Sequence, residues 1–203
     1  MRVAVVAGPE AGHVFPAIAL SIRLRQAGDH PIVLTGAERL ETVRSAGVEA
    51  VELAGLQPDE ADDDADAGAK IHQRAARMAV LNRPLLQRLS PDLVISDVIT
   101  VCGGMAAELI GVPWAELSPH PLYLPSRGLP PIGSGLAPGT GPTGWLRDSV
   151  MRALTARSVR AGERQRSAAR TAIGLTGPDP GPRRRWIATL PALEVPRPDW
   201  PAE

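Results

Sequence analysis

Short runs of consecutive apolar residues alternate along the chain with longer segments whose apolar residues recur every three or four positions. Residues 3–7 read Val-Ala-Val-Val-Ala, a continuous run that marks a strand covered on both faces. A loop is predicted over 8–15, followed by a helix opening at Pro16, a residue tolerated in the first helical turn. Ile18 and Ile22, with Leu20 and Leu24, supply i, i+4 spacing, and Gly28 supplies a stop. Strands are predicted at 31–35 and 48–53, with a helix over 37–46 between them that Gly47 closes. Helical spacing returns over 71–89 (Met78, Leu81, Leu85, Leu89), with a kink at Pro84. A strand at 93–97, a helix over 101–110 and a strand at 113–118 complete the series. The expected fold is α/β, a Rossmann-like doubly wound parallel sheet with helices on both faces.

The pattern breaks in three places. Asp59, Glu60, Asp62, Asp63, Asp64 and Asp66 crowd one short stretch, and like charges at that density predict a solvated, mobile loop over 57–67. Residues 120–142 are dense in Pro and Gly, a long irregular segment of the kind that carries function. Residues 145–172 then read as a helix, and 147–185 hold ten Arg against Asp148, Glu163 and Asp179. One more strand is expected at 186–190, and 196–203 reads as the start of a linker.

Composition narrows the class without changing the fold. Leu, Ile, Val and Phe make up roughly a quarter of the 203 residues, enough to form a core. The formal net charge is zero, so the total predicts no general grip on nucleic acid or membrane. Cys102 is the single cysteine, which excludes an intrachain disulfide and a zinc cluster. No run approaches the roughly 20 apolar residues that span a bilayer, and the first residues are too briefly apolar for a signal peptide. A soluble, cytoplasmic protein without stable membrane insertion is expected.

In an open parallel sheet the ligand crevice lies at the carboxyl ends of the strands, where strand order reverses. With the usual order 3-2-1-4-5, the strand at 3–7 neighbours the strand at 93–97. His13, after the first, and Asp97, ending the second, then emerge side by side. Singly, each has a plainer use: a solvated loop imidazole, and a cap for the next helix. Together they form a general base whose tautomer a carboxylate fixes. No Gly-x-Ser-x-Gly elbow supplies a nucleophile, so the base points to activation of a substrate hydroxyl. Gly8-Pro9-Glu10-Ala11-Gly12 matches neither a dinucleotide fingerprint nor a phosphate loop. The Asp62–Asp66 acids offer an Asp-x-Asp pattern, and Arg183-Arg184-Arg185 a basic run, but both read as solvated surface. His30 and His72 lack metal-ligand spacing, and His120 falls in the crevice-side loop.

Gly12-His13-Val14-Phe15-Pro16 after a first strand resembles the Gly-His-x-x-Pro opening of GT-B glycosyltransferases, families 1 and 28. Residues 91–97 (Pro-Asp-Leu-Val-Ile-Ser-Asp), 106–113 and Leu117-Ser118-Pro119-His120 resemble later landmarks of the bacterial natural-product enzymes. The resemblance implies that residues 1–195 are an acceptor-binding N-terminal domain and that the donor-binding C-terminal domain is absent. It implies His13 as catalytic base and Asp97 as its orienting carboxylate, in inverting, metal-independent transfer from a UDP- or dTDP-type sugar. That nucleotide-sugar is a co-substrate, and no cofactor is expected. Gly12, Val14, Phe15, Ser118, His120, Leu122, Tyr123, Leu124 and Trp145 are the implied substrate-binding residues, with 118–145 as the loop for a hydrophobic small-molecule or lipid acceptor. By the same resemblance the chain alone is inactive or nearly so. The competing reading is a non-catalytic auxiliary module that keeps the fold and pocket; a glycosyltransferase-like epimerase or phosphorylase would need phosphate-binding groups that the sequence lacks.

Overall fold

The computed structural model describes residues 1–57, 59, 66–121, 126–131, 133–195 and 197. Six parallel strands, β1 (Arg2–Val6), β2 (His30–Thr35), β3 (Glu49–Glu52), β4 (Leu93–Asp97), β5 (Trp114–Ser118) and β6 (Arg185–Ile187), form one sheet in the order β3-β2-β1-β4-β5-β6. The helices are α1 (Ala11–Gln26), α2 (Leu40–Ser45, after a 3-10 turn at Ala37–Arg39), α3 (Ala67–Leu89), α4 (Cys102–Leu109) and α5 (Gly141–Ala172). The two-residue period of a strand divides the core cleanly. Val3 and Val5 of β1 face α1 and α2, whereas Ala4 and Val6 face α3 and α4. The sheet is therefore covered on both faces, as its apolar runs predict.

α1 begins at Ala11, not at Pro16 as its sequence suggests. Val14, Ala17, Ile18 and Ser21 form a buried stripe at i, i+3, i+4, i+7, and the burial of Val14 winds the chain into helix one turn before the proline. Pro16 then denies the Gly12 carbonyl its helical donor, a cost confined to the helix's first turns. His13 consequently lies on a helical turn rather than on a loop. α3 runs through Pro84, and Asp66, expected in the mobile acidic loop, instead caps its start by accepting from Gly68 N (3.0 Å) and Ala69 N (3.1 Å). Pro58, the acids at 60–65, the final 198–203 stretch and the linker residue Pro196 lie outside the described residues.

Two close contacts hold the second half of the sheet. α4 presses onto β4 and β1 through Gly103, where a Cβ would come within 2.7 Å of Ser96 Oγ and 2.9 Å of Val6 Cβ. α5 is tied to α4 by Arg170, 3% exposed, whose Nη1 donates to both carboxylate oxygens of Glu108 at 2.6 and 2.7 Å. Arg170→Ala would strand a largely buried carboxylate. It is expected to lower unfolding free energy in urea by about 3–5 kcal/mol, while Arg170→Met with Glu108→Leu should cost far less.

Candidate active site

The site is set by register. β1 and β4 pair in parallel with Val6 opposite Ser96, so the residues following each strand leave the sheet at the same edge. His13, in the first turn of α1, meets Asp97, the last residue of β4, with Nδ1 2.7 Å from Oδ1. The His13 side chain is 16% exposed and that of Asp97 fully buried. The other Asp97 oxygen, Oδ2, accepts from Ile99 N (3.2 Å), Thr100 N (3.2 Å) and Thr100 Oγ1 (3.1 Å). The carboxylate thus caps the β4–α4 turn with one oxygen and holds the imidazole with the other. An ionised carboxylate only accepts, so the His13 proton sits on Nδ1 and Nε2 is left as the basic nitrogen.

A second imidazole flanks the first. The ring of His120, just past β5, stands edge-on to that of His13 with centroids 6.4 Å apart. Ser118, fully buried at the end of β5, places it: its Oγ lies 3.3 Å from His120 Nδ1 and donates to the His120 carbonyl at 3.1 Å. A cleft of about 1170 Å³ runs from Asp97 and His120 along the face of β5 beneath α5. Val98, Ile99, Val101, Pro130, Pro131 and Val159 line its apolar walls. Arg152 of α5 holds the loop carrying the two prolines by donating to the Leu129 carbonyl.

The entry to α5 is built around a buried acid. Asp148 accepts from Gly139 N and from Arg147 Nε, each at 2.8 Å, and Arg147 also donates to the Ala137 carbonyl at 2.7 Å. Burial alone would raise the Asp148 carboxyl; the Gly139 N–H and the Arg147 and Arg152 guanidiniums outweigh it and hold the carboxyl below its ordinary range. A native pKa below the unfolded value of about 3.9 gives stability that is whole above that value and lost as pH falls through the native one. Asp148→Asn should therefore be less stable than the parent at neutral pH in urea unfolding, the gap closing as pH drops below about 4.

The structure brings together His13, Asp97, Ser118 and His120 of the residues singled out from sequence. Gly12 is exposed beside His13, and a Cβ there would meet nothing within 4 Å. Val14 is corrected: its side chain is buried in the core and faces no ligand. Phe15 is half exposed on α1, and Trp145, 61% exposed on α5, lies outside the cleft lining. Leu122, Tyr123 and Leu124 fall outside the described residues. Sequence reasoning missed His72, Trp114 and the inner side of α5, which line the cleft. The available signal was the i, i+3, i+4, i+7 spacing of Arg152, Thr155, Ala156 and Val159, which no uniform polarity marks.

No known family profile matches the chain. It is 33% identical over 132 residues to an L-demethylnoviosyl transferase of Streptomyces niveus, covering 58% of this chain and 34% of the relative. It is 35% identical over 143 residues to a UDP-N-acetylglucosamine–N-acetylmuramyl-(pentapeptide) pyrophosphoryl-undecaprenol N-acetylglucosamine transferase of Thermus thermophilus, covering 64% of this chain and 39% of the relative. The solved structure of SsfS6, a Streptomyces sp. SF2575 glycosyltransferase complexed with thymidine diphosphate, superimposes with a TM-score of 0.57 at 24% identity, covering 91% of this chain and 48% of that one. The chain has the fold of one half of a GT-B glycosyltransferase. It spans about a third of the length of these curated relatives. Among the described residues, no helix is long and apolar enough to cross a membrane.

Proposed function

We propose that the chain is the acceptor-binding, base-supplying half of an inverting glycosyltransferase. The observation that carries this reading is the 2.7 Å His13–Asp97 contact at the crevice edge, with Asp97 and His120 on the lining of a large cleft that has apolar walls. In this mechanism an acceptor hydroxyl gives its proton to His13 Nε2. Its oxygen attacks the anomeric carbon of a nucleotide-sugar as the bond to the diphosphate breaks, and the nucleoside diphosphate departs with that electron pair. Attack opposite the leaving group inverts the anomeric centre. Asp97 stays ionised and stabilises the imidazolium formed.

The cleft walls suit a hydrophobic small-molecule acceptor, with a lipid alcohol as the variant of the same chemistry. The thymidine diphosphate of SsfS6 supports a nucleoside-diphosphate donor, which on this reading a separate donor-binding half would hold. Stabilisation of the departing diphosphate falls to that half, a term worth several kcal/mol in such reactions. Purified chain 1–203, assayed with UDP- and dTDP-sugars and a panel of aromatic and lipid alcohols, should show little or no transfer alone and gain it when a donor-binding half is added. Robust turnover by the chain alone would overturn the half-site reading.

A further inference from the structure

The floor of the cleft is β5, whose residues Trp114 and Glu116 face it in turn. Two charged pairs close within it, Arg185 Nε donating to Glu116 Oε1 at 3.0 Å and Arg166 pairing with Asp179, and Arg160 and Glu163 also line it. Two buried polar atoms of the lining have no hydrogen-bond partner. Trp114, 5% exposed, has its indole Nε1 buried without a hydrogen-bond partner. His72 of α3, also on the cleft, has its Nδ1 in the same condition. Buried polar groups are nearly always paired, so two orphans bordering one cavity mark a place where a ligand atom completes the bonding.

We propose that Trp114, at the end of β5 remote from Ser118 and His120, and His72, elsewhere on the same cleft, are hydrogen-bonding positions for carbonyl or hydroxyl oxygens of the acceptor. This deepens the proposed function and rests on it. The indole N–H only donates, so the partner atom must offer a lone pair, which carbonyl and hydroxyl oxygens do and a hydrocarbon edge does not. Burial, with the Arg166 guanidinium nearby, holds the His72 imidazole below its ordinary pKa and so favours its neutral form, which can donate or accept. Proline and valine walls have few rotamers and keep their shape, which favours a rigid skeleton over a flexible chain. Trp114 and Ser118 stand at opposite ends of β5, separated by about 13 Å, so an occupant reaching from Trp114 to His120 has the length of a several-ring molecule. Its reacting hydroxyl lies at the Asp97–His120 end, and a second oxygen lies at Trp114.

Calorimetric titration of the chain with two probes tests this. One is 2-hydroxyanthraquinone, which carries keto oxygens, and the other is anthracen-2-ol, which has the same skeleton without them. Trp114→Phe keeps the ring and removes the N–H; His72→Leu removes the imidazole at a half-exposed helical position and decides the matter if the first variant does not fold. Each substitution should weaken anthraquinone binding by about fivefold to tenfold and leave anthracenol within about twofold. Equal losses for both probes, or no loss for either, would overturn the subsite while leaving the cleft as an acceptor site. Failure of both probes to bind the parent chain would overturn the acceptor cleft and the subsite together.

Discussion

Replacing His13 with alanine is expected to lower kcat by about 10²–10⁴, measured in transfer assays with a donor-binding half present. That loss corresponds to about 3–5 kcal/mol of transition-state stabilisation. The proposed role is proton abstraction from the acceptor, an interaction made as the hydroxyl ionises and absent from the bound ground state. The acceptor KM should accordingly change little, because the cleft walls are carried by other elements. His13 is partly exposed in the first turn of α1 and outside the buried stripe, so the variant should still fold, with a lowered melting temperature because the buried Asp97 Oδ1 loses its partner. An unchanged rate in a correctly folded variant would assign the pocket to a non-catalytic module.

Asp97→Asn should reduce kcat to a similar degree, by about 10²–10⁴, for a different reason. The carboxylate uses one oxygen for the Ile99 and Thr100 donors and the other for His13. An amide has only one oxygen. If that oxygen keeps the β4–α4 turn, the NH₂ faces His13 Nδ1, and the ring proton is forced to Nε2, where the base should act. The turn, and with it most of the stability, is then retained while the wrong nitrogen is basic. Asp97→Ala should lose both functions and melt at a lower temperature as well as turn over slowly. Equal kcat in the Asn variant and the parent would detach Asp97 from the chemistry and leave it as a cap alone.

Much of this architecture was legible in one dimension. The apolar runs at 3–7 and 93–97 have no polar alternation, and only strands covered on both faces tolerate that. Five strands joined by helical segments then leave few topologies, and the switch-point rule places His13 beside Asp97. Where the reading failed, a local signal was overruled by packing. Pro16 reads as a helix start, but the burial of Val14 in the core carried the helix back to Ala11. Asp66 reads as one more repelling acid, but its carboxylate caps α3 and its Oδ2 accepts from Gln165 Nε2 of α5 at 2.7 Å. The cleft escaped because its lining has no single character. Trp114 looks like core, and His72 sits in an ordinary helix. The inner side of α5 mixes Arg152, Thr155 and Val159.

The order of apolar and polar residues determined the fold class, the strands' covered faces and the edge of the sheet on which function would gather. Those follow from backbone periodicity and burial, which act over neighbouring residues. The tertiary structure alone decided that His13 Nδ1 and Asp97 Oδ1, 84 residues apart, stand 2.7 Å from one another, and that Trp114 and His72 border one cavity. Hydrogen bonds weaken steeply over a few tenths of an ångström, and such distances are fixed only when sheet register and helix docking are set together.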